Sequence, residues 1–96
     1  MEFLVEIEVT FPPDGDPQQR ADLIAAEGHR GRELAAAGII KRLWRQPGRW
    51  ANFGIWEAPD ATALHMAISS LPFFPWLKVK VNPLAAHPTD PGPGKP

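Results

Sequence analysis

From Glu2 to Thr10 the chain alternates, with Phe3, Val5, Ile7 and Val9 on one face and Glu2, Leu4, Glu6, Glu8 and Thr10 on the other. A period of two is that of a strand buried on one side and wet on the other. Phe11-Pro12-Pro13-Asp14-Gly15 breaks the pattern, and Asp16 followed by Pro17 supplies an N-cap with proline at the first helical position. The stretch beyond Pro17 is rich in Ala, Leu, Glu and Arg and ends at Gly38, the expected C′ glycine, so a helix of about six turns is predicted from Pro17 to about Ala37.

Ile39–Gln46 and Trp50–Glu57 read as two further extended segments joined by Pro47-Gly48. Proline suits the first central position of that turn, and glycine the second, which needs positive φ. Asp60 caps a second helix carrying Leu64, Ala67 and Ile68, which must stop near Leu71 because Pro72 and Pro75 come next. Trp76–Asn82 alternates again, with Leu77, Val79 and Val81 opposite Lys78 and Lys80. Pro83–Pro96 holds five of the 12 prolines, which predicts an arm fraying into a tail: one domain over residues 1–88 and a Pro/Gly-rich tail over 89–96.

The order β-α-β-β-α-β is that of an α+β, ferredoxin-like sandwich, a four-stranded antiparallel sheet with two helices on one face. The first and last strands are then neighbours, and Glu6 and Glu8 meet Lys78 and Lys80 across the ladder. The other sheet face is only half polar, Leu4, Leu43, Trp50 and Trp56 sharing it with Lys41, Arg45 and Asn52. An apolar patch of that kind marks an interface or ligand site. The expectation is a dimer whose sheets face one another as an α+β barrel, enclosing a partly polar cavity.

Composition narrows the function. Ninety-six residues, 44% hydrophobic and 22% charged, make one globular domain. The net charge of -1 and the lack of a basic run argue against nucleic acid. No 18-residue apolar run exists and the acidic start Met1-Glu2 does not suit a signal peptide, so no membrane partner and a cytoplasmic location are expected. The absence of cysteine removes thiolate metal sites and cysteine nucleophiles. His29, His65 and His87 lack ligand spacing, and no metal or cofactor is expected; His29 projects to the solvated side of the helix and His65 reads as partly buried beside Leu64 and Ile68. No P-loop, Gly-x-Ser-x-Gly or dinucleotide fingerprint occurs.

One carboxylate stands out. At about 100° per residue, Ala21, Leu23, Ile24, Gly28, Gly31, Leu34 and Ala35 form one arc of the first helix with Glu27 near its middle, whereas Asp22 and Glu33 lie opposite. A carboxylate on a packed face must be paired, protonated or useful. It is either an internal ion-pair partner of Arg45, Arg30 or Lys41, or a general base whose proton affinity burial has raised. With Arg45 or Lys41 to bind a carboxylate and Asn52 to hydrogen-bond an enolate oxygen, these parts suit proton transfer beside a carbonyl in a small anionic molecule.

The same residues carry a family resemblance. Leu43-Trp44-Arg45, Gly48, Ala51-Asn52, Ser70-Leu71-Pro72-Phe73-Phe74-Pro75 and His87-Pro88, with Glu27 and His65 in place, resemble the muconolactone Δ-isomerases from about Met1 to Pro88. The resemblance implies a cofactor-free isomerase of aromatic degradation in the β-ketoadipate pathway, and homodimers assembling into a decamer. It implies that Glu27 shuttles the proton that moves the ring double bond of muconolactone, giving 3-oxoadipate enol-lactone through a dienolate. Arg45 and Lys41 would contact the substrate carboxylate or oxyanion, with Asn52, Trp44 and Leu4 lining the pocket. The sequence departs from the family at Leu4, Gly28, Ile40 and Arg42, where histidine or tyrosine, lysine, an aromatic and histidine are usual. A chloromuconolactone dehalogenase, a biosynthetic lactone isomerase or cyclase, and a non-catalytic dimeric ligand-binding module are the alternatives.

Overall fold

The structure is a computed structural model and describes residues 1–92; the last four positions of the predicted tail, 93–96, lie outside the described residues. Strand β1 (Glu2–Val9) buries Phe3, Val5 and Ile7, the alternate positions of its pattern. Helix α1 (Pro17–Ala36) starts where the Asp16 carboxylate accepts the Gln18 and Gln19 N–H groups, each at 3.3 Å. It ends as Gly38 turns to φ +79°, a conformation that glycine adopts without a Cβ penalty, and Ile39 N–H closes onto Leu34 at 2.9 Å. Strands β2 (Ile40–Arg45) and β3 (Ala51–Glu57) form the expected hairpin, with Gly48 at φ +76° in its turn. Helix α2 (Ala61–Ser69) is capped by Asp60, which accepts the Ala63 N–H at 2.8 Å. A 3₁₀ turn over Phe74–Trp76, with proline in its first turn, takes the first residue of the predicted last strand, so β4 runs Leu77–Pro83.

The sheet order is β2-β3-β1-β4, with every neighbouring pair antiparallel. Leu34 of α1 and Leu64, Ala67 and Ile68 of α2 join one core with Phe3, Val5, Ile7 and Trp56, so both helices cover the same sheet face. Glu6 stands opposite Lys80 and Glu8 opposite Lys78, and the Glu6–Lys80 pair closes to 4.0 Å. Glu8 is bound more tightly by Arg49 at 2.6 Å, a hydrogen bond that holds its carboxyl below the ordinary value.

Two corrections concern which face each hairpin residue takes. Trp56 pairs with Phe3 and Asn52 with Ile7, so Asn52, Gly54 and Trp56 point toward the helices, not to the open face. Strand β3 is apolar on both sides, Phe53 and Ile55 against Gly54 and Trp56, and its alternation carries no polarity contrast to set the face. In β2 an extra residue at Lys41 shifts the register: Ile40 faces Trp56, then Arg42 faces Ile55 and Leu43 faces Gly54. Beyond this bulge Leu43 and Arg45 also point toward the helices, while Arg42 and Trp44 take the open face.

Candidate active site

Helix α1 meets the sheet closely only near its C-terminal end. Leu34 is its buried residue, whereas Ile24, nearly three turns earlier, is 45% exposed. The gap beneath is a cavity of about 600 Å³ between α1 and the β2–β3 hairpin. This cavity lies inside a single chain, on the helix side of the sheet, where the inward-facing side chains of β3 line it.

The helix wall of this cavity carries Glu27, Gly28, Gly31 and Arg32. A Cβ on Gly31 would meet nothing within 4 Å, and one on Gly28 would lie 3.3 Å from the Arg32 guanidinium. Glycines that are unfavourable mid-helix thus keep this wall thin. The sheet contributes Leu43, Arg45, Asn52 and Trp56, and the far end is closed by Trp50 and Phe73, whose rings stand edge-on at 5.4 Å. The Arg20 guanidinium covers Trp50 at 4.7 Å from outside the helix wall.

Glu27 is half-buried, and its Oε1 accepts the Phe73 backbone N–H at 3.0 Å. Burial raises its carboxyl above the ordinary value; the Phe73 N–H works against that shift without cancelling it. Among the described residues no cation lies within 4 Å of it. The ion-pair reading is overturned: Arg30 is engaged by Glu33 at 3.4 Å and Ser70 at 2.9 Å, Lys41 sits in the β2 bulge, and Arg45 stays beyond ion-pair distance. A lone carboxylate beside a void is suited to accept and return a proton.

Two groups at the sheet side of the cavity lack partners. Asn52 Oδ1 and Trp56 Nε1 are buried with no hydrogen-bond partner, although buried polar groups are normally paired. The Trp56 indole, 1% exposed, lies against Gly54, its nitrogen 3.0 Å from where a Cβ would stand.

Of the expected site residues, the structure brings Glu27, Arg45, Asn52 and Trp44 to this cavity. Trp44 borders it while pairing with Phe53 on the open face, where the Arg42 guanidinium covers its ring at 4.7 Å. Two are not brought there. Leu4 pairs with Ile55 and Asn82 on the opposite sheet face, and Lys41 is not among the lining residues because the bulge takes it out of the alternation. Arg32 was not expected at the site, and Trp56 was expected on the open face with Arg45 and Asn52, not toward the helices. Long helical side chains lean toward the helix N-terminus, so Arg32 reaches back over Gly28 although its own wheel position lies off the arc.

His29 is exposed, 3.7 Å from Glu33, as its helical position predicts. His65 is exposed, not partly buried, and stands edge-on to Phe74 at 6.1 Å. Among the described residues no group of three or more His, Cys, Asp or Glu side chains could hold a metal ion, and no helix is long and apolar enough to cross a membrane.

Fold and cavity together define a ferredoxin-like protein whose pocket sets one lone carboxylate between apolar walls and two arginines. Comparison with known proteins narrows the class. The family model described as muconolactone delta-isomerase matches residues 1–90, and the chain belongs to that family. It is similar to the muconolactone delta-isomerase of Pseudomonas aeruginosa, 36% identical over 89 residues covering 93% of each chain. That of Rhodococcus opacus is 34% identical over 88 residues, covering 92% of this chain and 95% of the relative. The crystal structure of a muconolactone isomerase matches with a TM-score of 0.89 at 32% identity, covering 100% of both chains.

Proposed function

We propose that this chain is an isomerase that shifts the ring double bond of muconolactone, or of a similar unsaturated lactone carboxylate, to give the 3-oxoadipate enol-lactone. The proton that leaves sits on the ring carbon bearing the side chain, and the one that arrives goes beside the lactone carbonyl. Both positions are acidified by the same conjugated carbonyl, and the dienolate between them places negative charge on the carbonyl oxygen. The chemistry therefore calls for one base that can give back what it takes, and for donors at that oxygen.

Glu27 serves as the base. Its second oxygen is not engaged by Phe73, and burial gives the carboxyl more proton affinity than an exposed one, which favours taking the proton from the ring carbon. The buried Asn52 amide, turned to present its NH₂ in place of its oxygen, and the Trp56 N–H are the donors for the lactone oxygens. Arg45 holds the carboxylate of the substrate, and Trp44 shapes the rim of the cavity. Leu43 and Trp50 keep the walls apolar, so charge developing inside is less screened than in water.

The observation that carries this reading is a half-buried carboxylate with no counter-ion facing an open cavity. Ultraviolet detection of muconolactone conversion tests it: the wild-type chain turns the lactone over, and Glu27→Gln loses turnover while keeping its fold. Equal turnover by both would overturn it.

Assembly and location belong to the same reading. Leu4, Phe53 and Ile55, half-buried, and the exposed Trp44 make the open sheet face apolar, which supports a homodimer; further assembly into a decamer and a cytoplasmic location are part of the same proposal.

A further inference from the structure

Four arginines already have partners. Arg49 is bound to Glu8 and Arg30 to Glu33 and Ser70, while Arg20 and Arg42 lie over the rings of Trp50 and Trp44. Arg32 and Arg45 remain, and among the described residues no carboxylate lies within 4 Å of either. Both line the same cavity, from opposite walls, one on α1 and one on β2. The cavity's charged residues are thus one acid, Glu27, and two free cations.

Arg32 gets its place from Gly28. The guanidinium lies one turn back along the helix, 3.3 Å from where a Gly28 Cβ would stand, over a position without a side chain. That puts a cation beside the residue following Glu27, though not within 4 Å of its carboxylate. A charge in the same cavity but not paired with the base can bind an anion and leave the base free.

We infer that Arg32 is the second anchor for the substrate carboxylate, closing with Arg45 from the opposite wall, and that the pair sets the requirement for an anionic lactone. This rests on the isomerase reading. The planar guanidinium suits a carboxylate, and one anchor on each wall fixes the direction in which the lactone ring enters toward Glu27.

Steady-state kinetics on muconolactone and on its uncharged methyl ester test the inference. Arg32→Gln raises KM for muconolactone by about tenfold or more, as expected for loss of a charge-assisted hydrogen bond, while kcat changes little. The preference for acid over ester, as a ratio of kcat/KM values, falls by a similar factor, and Arg32→Lys restores part of it. Equal losses on acid and ester, or a KM like that of wild type, overturn the anchor. Calorimetric titration of muconolactone into Glu27→Gln and into Glu27→Gln/Arg32→Gln reads binding apart from turnover, and weaker binding by the double variant is expected. If Glu27→Gln turns muconolactone over like wild type, the isomerase reading itself fails; if Glu27→Gln is inactive and Arg32→Gln binds normally, only the anchor does.

Discussion

The Glu27 carboxylate and the Phe73 backbone N–H, 46 residues apart, meet at 3.0 Å and tie the middle of α1 to the segment after α2. A backbone donor cannot titrate, and no side-chain substitution at Phe73 other than proline removes it. One carboxylate oxygen is fixed and the other is left to the cavity, so the base is oriented without being neutralised.

Activity should fall on the acid side as Glu27 becomes protonated. Since burial raises its carboxyl above the ordinary 4.5, the acid limb of kcat/KM against pH has its midpoint above that value. A midpoint at or below it would mean that Glu27 is not the group being titrated.

Stability should run the opposite way from activity. A carboxyl whose folded pKa lies above its unfolded value holds its proton more tightly in the folded state, so stability declines as pH rises from the unfolded pKa to the folded one and is level above it. Glu27→Gln keeps an oxygen to accept the Phe73 N–H but has no charge to desolvate. Its melting temperature at pH 7 is expected to equal or exceed that of wild type, with the difference shrinking toward pH 4. A variant that melts lower at pH 7 would contradict this.

Gly31 separates the needs of the helix from those of the cavity. Gly31→Ala adds a Cβ that meets nothing within 4 Å and relieves a mid-helix glycine, a gain of about 0.5–1 kcal/mol in denaturant unfolding. Gly31→Leu occupies the cavity, and a KM increase of roughly tenfold or more is expected from crowding of this kind. A leucine variant with wild-type KM would place the substrate elsewhere.

Gly54 has no such freedom. A Cβ there would stand 2.7 Å from Leu43 Cδ2, 3.0 Å from Trp56 Nε1 and 3.1 Å from the Arg42 carbonyl oxygen. Backbone cannot yield as a side chain does, so Gly54→Ala should cost about 1–3 kcal/mol, at about 4–8 °C of melting temperature per kcal/mol. A melting curve matching wild type would show that the hairpin absorbs the methyl group.

The elements were legible because each has a local cause. Alternation marks β1 and β4, the caps Asp16 and Asp60 mark both helix starts, and Gly38 and Gly48 sit where positive φ is needed. Glu27 was legible too, since a helical wheel shows an acid among apolar neighbours. The position of the cavity was not. It depends on which way β3 turns, and there the polar Asn52 argues for the open face while Trp56 on the same side of the strand needs the core, so the pattern misleads. The Phe73 donor was hidden for another reason: a backbone N–H has no residue type to read.

The bulge at Lys41 has a consequence beyond the edge of the sheet. Every side chain after it in β2 is turned over by one added residue, so the cavity receives a guanidinium from position 45 while the indole at 44 leaves from the open face and touches only the rim. Flattening the bulge with that residue kept in the ladder would exchange the two, leaving a pocket with half its positive charge and an arginine stranded on the apolar face, whereas deleting the residue would leave Arg42 opposite Ile55 and Arg45 opposite Asn52 as they are. Ligand preference in this fold can therefore change through strand register alone, with no lining residue mutated.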